Sequence, residues 1–312
     1  MKSATRNPQS EIETPGVRGT AAVTQEILKK VRHIEIYTRR VVNDVMAGEY
    51  HSVFRGRGME FDGVREYLPG DEIRTIDWNV TARTGRTHVK RYVEERELTV
   101  MLCVDASSSG AFGTTGEMKE ELATQLCAVL AFSAIKNNDR VGLIIFTDQV
   151  EHYLPPKKGR KHVLRVIRDL LNFRPTQRTT SITAALDYLN RVLKRRAVVF
   201  LVSDFFDRNL KKPLTIANRR HDLVAISVGD PREEDLPPIG FLEFEDAETG
   251  EVVVVDTYDK QVRAAFAKAS RGDRAQRDTM FQSLSVDHIN LRTGESFVKP
   301  LTRFFEERAR RQ

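Results

Sequence analysis

Four short runs of almost uninterrupted apolar residues constrain what this chain can fold into. They are rich in Val, Ile and Leu and read LTVMLCV at 98–104, VGLIIF at 141–146, AVVFLVS at 197–203 and LVAISV at 223–228. Such runs are typical of parallel strands buried on both faces of a sheet. Apolar residues at helical spacing occur between them, for example in 122–133 and 182–193. This alternation predicts an α/β fold with a doubly wound, mainly parallel sheet.

The segments after the second and fourth runs predict additional strands and helices. Only three residues separate VGLIIF from VEHYLP, which is too short for a crossover. VEHYLP is therefore predicted as an antiparallel edge strand that ends at Pro155-Pro156. GFLEF and EVVVVDT predict a hairpin with its turn at 247–250. Helices at about 259–284 and 297–311, with a strand at about 286–291 between them, are predicted to complete the fold.

The amino-terminal third of the chain follows a different pattern. Residues 1–20 are rich in Ser, Thr, Pro, Gly and charged residues, which predicts a disordered lead-in. Apolar residues near helical spacing predict a helix from Thr24 to Gly48, and short glycine-broken segments predict a small β-rich subdomain. We therefore predict a lead-in at 1–20, a helical and β-rich subdomain at 21–97 and the α/β domain at 98–312.

Composition and cysteine usage bear on the class of protein. The chain has 312 residues, of which 40% are hydrophobic, so it can bury one large α/β core. Cys103 and Cys127 lie within apolar stretches and predict buried, reduced thiols. The first residues carry no apolar signal segment, and the apolar runs are too short to cross a bilayer. We therefore expect a cytoplasmic protein with no membrane span.

Polar residues follow the strand ends, where open α/β sheets bind ligands. Asp105 ends the first run, and Ser107 and Ser109 come two and four residues later. Asp204 follows the third run, and Thr180 lies in the loop before a helix. All five residues offer hard oxygen atoms, which suit Mg²⁺ or Mn²⁺. Taken alone, a D-x-S motif is equally well explained by helix capping.

These motifs resemble the metal-ion-dependent adhesion site of von Willebrand factor A domains. The resemblance rests on D-x-S-x-S at 105–109, T-x-I-x-x-A-L at 180–186 and Ser-Asp at 203–204. It implies that the first and fourth strands of the sheet are neighbours, which would bring Asp105 and Asp204 together. With two carboxylates against a dication, the site leaves one coordination position to water or to a partner's acid. Where many A domains have Gly-Gly, this chain has Arg178-Thr179.

The segment VREYLPGDEIRTIDWNVTARTGRTHVKRYVEERE at 64–97 is similar to the signature of the bacterial domain of unknown function 58 family. Members are often encoded beside MoxR-type AAA+ ATPases, which implies an adaptor or partner role in assembly, maturation or stress response. Arg74 and Trp78 in this segment, and Arg178 beside Thr180, are the residues expected to bind a partner. For Arg74 and Trp78, turn chemistry and an Arg–carboxylate network around a buried Trp78 favour a scaffold role over partner binding. Arg178 is equally well explained as a solvated loop residue.

Three functional hypotheses follow. The first is a non-enzymatic, metal-dependent protein-interaction module. The second is a Mg²⁺-dependent phosphoesterase or phosphotransfer enzyme with Asp105 as nucleophile. Such enzymes usually need a lysine that stabilises the phosphate and a second acid two residues after the nucleophile, where this chain has Ser107. The third is a nucleic-acid-binding protein, suggested by the net charge of +6, the RGRG at 55–58 and the basic Lys90 and Arg91.

Overall fold

The computed structural model describes residues 29–39, 41–42, 59–94, 97–107, 118–207, 209–245 and 252–311. The strands are β1 Met59–Glu66, β2 His88–Glu94, β3 Thr99–Asp105, β4 Arg140–Phe146, β5 Val150–Lys157, β6 Val198–Ser203, β7 Asp222–Gly229, β8 Phe241–Glu245, β9 Val252–Asp256 and β10 Asp287–Arg292. The α-helices after residue 59 are α1 Trp78–Thr84, α2 Lys119–Lys136, α3 Arg160–Asn172, α4 Ile182–Val192, α5 Lys211–Arg220, α6 Lys260–Ser283 and α7 Val298–Arg310. Residues 29–39 and 41–42 are also helical.

A six-stranded sheet in the order β10-β7-β6-β3-β4-β5 forms the centre of the fold. The four strands predicted from the apolar runs pair in parallel, and β10 joins them on β7. β5 pairs antiparallel with β4 at the edge, as the short connection predicted, and it continues through both prolines to Lys157. Edge strands tolerate proline because one side of the strand forms no ladder. The predicted doubly wound, mainly parallel α/β fold is confirmed.

Alternating side chains of the central strands fill two separate apolar cores. In β3, Val100, Leu102 and Val104 face the core formed with α2, α3 and α7. Met101 and Cys103 face the other core, formed with α4, α5 and the end of α6. Both faces of the sheet are therefore covered by helices, which is why the strands are apolar without alternation.

Two small antiparallel units lie outside the central sheet. β1 and β2 form one, with α1 beside it, and β8 and β9 form the predicted hairpin, whose turn residues lie outside the described ranges. The expectation of a buried tryptophan was wrong, because the Trp78 side chain is 66% exposed at the start of α1. A two-stranded unit has too little apolar surface of its own to enclose so large a ring.

The helical residues 29–39 and 41–42 are attached to the central domain through its first core. Val31 and Ile34 belong to the apolar cluster on that face, and Glu35 forms an ion pair with Arg160 at the start of α3. The predicted lead-in at 1–20 lies outside the described residues. Cys103 and Cys127 are buried free thiols, as expected, and burial raises the pKa of Cys127 to about 12.

Candidate functional site

The strand order places two aspartates where the connections of the sheet diverge. β3 pairs with β4 on one side and with β6 on the other. Helix α2, which follows β3, packs on one face, and α5, which follows β6, packs on the opposite face. Open α/β sheets bind ligands in the crevice that such a divergence leaves at the carboxyl ends of the strands. Asp105 ends β3 and Asp204 directly follows β6, so both lie at this crevice.

Hydrogen bonds from Ser107 and Ser203 fix the carboxylate of Asp105. The backbone N–H of Ser107 donates to Oδ1 at 3.0 Å, and the hydroxyl of Ser203 donates to Oδ2 at 2.7 Å. The Ser203 oxygen in turn accepts from the backbone N–H of Phe205 at 3.0 Å. Burial and the nearby charge of Asp204 raise the pKa of Asp105 to about 6, although these hydrogen bonds act in the opposite direction. Asp105 is thus a positioned carboxylate that carries its negative charge at a cost.

Asp204 has a carboxylate oxygen for which the described residues provide no hydrogen bond. The residue is 7% exposed, and its Oδ1 accepts a long hydrogen bond of 3.4 Å from the backbone N–H of Phe206. Oδ2 is buried and accepts none, and its ion-pair partner, the Lys119 Nζ, is 3.5 Å away. Buried polar atoms are nearly always satisfied, so such an atom calls for an explanation, and a role as a cation ligand would provide one.

The backbone beside Asp204 is strained. Phe205 has a positive φ of 59°, a conformation that bulky side chains rarely adopt. Its ring packs edge-on against Phe281 at 5.1 Å between ring centroids, and the hydrogen bond to Ser203 holds its backbone. Strain of this kind persists where the surrounding structure enforces it, and it is common in binding sites.

Lys119 and Glu233 are site residues that sequence reasoning missed. Lys119 begins α2 and its side chain is only 4% exposed, yet its ammonium forms a hydrogen bond with Glu233 and an ion pair with Asp204. Glu233 also accepts from the backbone N–H of Asp230 at 2.9 Å. The lysine and the glutamate are far apart in sequence, and no motif connects them, so only the tertiary structure reveals the pair.

Arg277 of α6 contacts the backbone of Asp204. Its Nη1 donates to the backbone carbonyl of Asp204 at 2.7 Å. Burial lowers the pKa of this guanidinium from its usual value. The carbonyl contact connects the carboxyl-terminal helix to the loop that carries the candidate site.

The loop that carries Thr180 lies at the same edge of the sheet. The backbone N–H of Ser181 donates to the carbonyl of Thr147, which follows β4, at 2.8 Å. The next N–H, of Ile182, donates to the carboxylate of Asp207, three residues after Asp204, also at 2.8 Å. Thr180 is therefore in a loop attached to the ends of two central strands, and its side chain is partly buried.

The structure brings most of the predicted oxygen donors to one edge of the sheet. Asp105, Ser107, Asp204 and the loop of Thr180 meet there, whereas Ser109 lies outside the described residues. Within the described residues, no group of three or more His, Cys, Asp or Glu side chains is arranged to hold a metal ion. The donor set instead combines two carboxylates with hydroxyls, which is chemistry that Mg²⁺ or Mn²⁺ accepts. The unsatisfied Asp204 oxygen and the raised pKa of Asp105 also fit a bound cation.

The residues predicted to bind a partner belong to two parts of the molecule. Arg178 is exposed in the loop before α4, two residues from Thr180. Arg74 and Trp78 are exposed beside the β1–β2 unit. Leu68 and Ile73, 61% and 69% exposed, lie in the same segment and enlarge its apolar surface.

Comparison with known proteins assigns the family. The family described as protein of unknown function DUF58 matches residues 63–276. The chain belongs to the DUF58 family. Among its relatives, the uncharacterized protein Rv1480 of Mycobacterium tuberculosis is 32% identical over 283 residues, which cover 90% of this chain and 89% of the relative.

Solved structures similar to this DUF58 protein include two in which most of the solved chain is matched. The conserved hypothetical protein BatB from Bacteroides thetaiotaomicron has 17% sequence identity and a TM-score of 0.45, with 68% of this chain and 99% of BatB covered. The VWA domain of SpRpn10 has 12% identity and a TM-score of 0.35, with 67% of this chain and 94% of that domain covered.

A cavity of about 370 Å³ adjoins the candidate site of this DUF58 protein. Asp204 and Arg277 form part of its wall, and aromatic rings form another part. The rings are those of Phe206, which is 61% exposed, Phe244 of β8 and Phe266 of α6. The cavity therefore offers apolar surface directly beside Asp204.

Among the residues described for this DUF58 protein, the helices are too short or too polar to traverse a lipid bilayer.

Proposed function

We propose that this DUF58 protein is a non-enzymatic, metal-dependent protein-interaction module. Asp105, Ser107, Ser109, Thr180 and Asp204 would hold one Mg²⁺ or Mn²⁺ ion, directly or through water. The ion would receive a carboxylate from a partner protein at its open coordination position. The protein would act in the cytoplasm as an adaptor or partner of a MoxR-type AAA+ ATPase, as its family resemblance implies.

The observation that carries this proposal is the pair of carboxylates at the divergence of the sheet. Burial and the charge of Asp204 raise the pKa of Asp105, and the Oδ2 of Asp204 is itself buried without a hydrogen bond from the described residues. Two acids held together in this way repel each other, and a divalent cation between them would reverse the sign of that interaction. Hydrogen bonds from Ser107 and Ser203 already orient Asp105, so binding would need little rearrangement.

Two further surfaces support a protein partner rather than a small ligand. The cavity beside Asp204 is walled by Phe206, Phe244 and Phe266, which suits an apolar side chain next to the partner's acid. The exposed ring of Trp78 adds a second contact region, since large exposed aromatic residues are over-represented in binding hot spots.

The test is a calorimetric titration of the protein with Mg²⁺ and Mn²⁺, repeated with the MoxR-type ATPase present. We expect one ion to bind, and Asp105→Ala to lose both the ion and the ATPase. Asp187→Ala, at an exposed position of α4, is the matched control and should keep both. Trp78→Ala should keep the ion but weaken ATPase binding. Metal-independent binding of the ATPase would contradict the proposal.

The second candidate function is the Mg²⁺-dependent phosphoesterase, and one observation favours it. Enzymes with a strand-end aspartate nucleophile usually have a lysine nearby, and Lys119 lies beside Asp204. Against it, the ammonium is nearly excluded from solvent by its contact with Glu233, and Ser107 stands where a second acid is usual. Turnover of a generic phosphoester by the wild type but not by Asp105→Asn would establish this alternative.

The nucleic-acid hypothesis receives less support from the described residues. The RGRG stretch at 55–58 lies outside them. Arg65, Arg86 and Arg91 of the β1–β2 unit form ion pairs with acidic residues of that unit. Guanidinium groups engaged in this way contribute less to a phosphate-binding surface. We therefore do not include nucleic acid in the proposed function.

A further inference from the structure

Lys119 is placed where an ammonium group is costly. Lysine is almost never fully buried unless it is paired, and the Lys119 side chain is 4% exposed. It is also the first residue of α2, and the helix dipole disfavours positive charge at that end. Its contacts with Glu233 and with Asp204 help to offset this cost. A buried cation thus lies at the edge of the candidate metal site.

Glu233 and Asp204, which both pair with Lys119, differ in what else they contact. Glu233 engages the ammonium directly and also accepts a hydrogen bond from the backbone of Asp230, so its position is fixed by the fold. Asp204 is farther from the ammonium, at 3.5 Å, through the same Oδ2 that accepts no hydrogen bond from the described residues. Glu233 therefore fixes the position of the Lys119 ammonium, and the positive charge of that ammonium acts on the Asp204 carboxylate.

We propose that Lys119 sets the metal affinity of the site by competing with the divalent cation for Asp204. This inference rests on the proposed metal-binding function. A fixed positive charge a few Å from a dication opposes its binding, and burial weakens the screening by solvent. The ammonium also lies 3.5 Å from Oδ2, the Asp204 oxygen that would be available to coordinate the ion. Glu233 moderates the competition because it holds the ammonium closer to its own carboxylate than to that of Asp204.

The test measures Mn²⁺ affinity by calorimetry in a set of matched variants. Lys119→Met removes the competing charge, and we expect it to bind Mn²⁺ at least tenfold more tightly than the wild type. Glu233→Gln loosens the hold on the ammonium, and we expect severalfold weaker binding. Lys136→Met makes the same charge change at the exposed far end of α2 and should leave the affinity unchanged.

The double variant Lys119→Met/Glu233→Gln separates this mechanism from a simple loss of negative charge. If Glu233 acts through Lys119, its substitution has little effect once the lysine is gone, so the two changes are strongly non-additive. Equal effects of Glu233→Gln in both backgrounds would overturn the inference. Lys119→Gln keeps a hydrogen-bond donor for Glu233 and replaces Lys119→Met if circular dichroism shows that the methionine variant does not fold.

The outcomes distinguish this inference from the proposed function. Binding by wild type with unchanged or weaker binding by the neutral Lys119 variants overturns the role of Lys119 and leaves the metal site standing. Tighter binding by those variants, or binding by them alone, supports the role. Absence of binding in every variant overturns both. Melting temperatures with Mn²⁺ and with a chelator provide a second readout, in which Lys119→Met should show the larger metal-dependent increase.

Discussion

Buried charges are arranged differently where the parallel strands of the central sheet begin, the strand-start edge, and where they end, the strand-end edge. At the edge where strands begin, Arg308 of α7 pairs with Asp222 of β7 and with Asp287 of β10, and its side chain is 11% exposed. At the edge where strands end, Asp105 and Asp204 lie close enough for one to raise the pKa of the other. The cation at that edge is Lys119, whose ammonium lies between Asp204 and Glu233.

This difference separates a structural arrangement from a candidate binding site. A guanidinium that bridges two carboxylates satisfies all three groups and ties α7 to the sheet. The other edge keeps two acids in an unfavourable arrangement and leaves a carboxylate oxygen without a hydrogen bond from the described residues. Local violations of good packing and charge pairing are typical of functional sites. The predictions below test whether the two edges respond in opposite directions to loss of a charge.

The largest expected effect is at the strand-start edge. Arg308→Met keeps much of the side-chain volume but leaves Asp222 and Asp287 without their shared cation. Removal of one member of a buried charge pair typically costs about 3 to 5 kcal/mol. Because both aspartates keep partial solvent contact and Asp287 also pairs with Arg311, we expect a loss near the lower end of that range in the free energy of unfolding. Urea denaturation measures it. The exposed Arg303, which pairs with Glu307 on the same helix, is the control, and Arg303→Met should change stability little.

At the strand-end edge, loss of a charge should have the opposite sign. Asp105→Asn keeps the shape of the side chain and an oxygen that accepts from Ser107, but its amide nitrogen cannot accept from Ser203. The gain from removing a buried charge beside Asp204 should exceed the loss of that hydrogen bond. In a chelator at pH 7.5 we expect the variant to be more stable than wild type by about 1 to 3 kcal/mol, since each pKa unit corresponds to about 1.4 kcal/mol.

The pH dependence of that difference follows from the raised pKa. Below pH 6 the folded wild type takes up a proton at Asp105 that the unfolded chain does not yet bind, so this group's contribution to stability increases as pH falls from 7 to 4. The advantage of Asp105→Asn should therefore fall to roughly half at pH 5 and largely disappear by pH 4. An asparagine variant that is less stable than wild type at pH 7.5 without metal would contradict the account.

A smaller effect concerns a buried histidine near the strand-start edge. His221, which precedes β7, is 1% exposed, and neither ring nitrogen has a hydrogen-bond partner among the described residues. Burial lowers its pKa to about 4, so the unfolded chain takes up a proton first as pH falls below 6.5, and stability declines down to pH 4. His221→Leu should make this acid-induced decline shallower. His33→Leu, at an exposed position of the amino-terminal helical segment, should not.

The sequence predicted the sheet well because its strands are buried on both faces and therefore form apolar runs that do not depend on context. It did not predict α1, a short helix whose ends are marked only by the capping carboxylate of Asp77 and the left-handed Gly85. The motifs pointed to Asp105 and Asp204 because each follows a buried strand. Lys119 and Glu233 could not be predicted, because their contact joins α2 to the loop after β7. Ser109 stays a prediction, because it lies outside the described residues.

The central claim is that the strand-end edge binds a divalent cation between Asp105 and Asp204. Its most direct test is anomalous diffraction from crystals of the protein grown with Mn²⁺, since the signal locates the ion without assumptions about its ligands. The account expects one manganese peak in contact with an oxygen of Asp105 and absent from crystals of Asp105→Asn. A data set with no peak at this edge, with Lys119 still against Asp204 at saturating Mn²⁺, would contradict it.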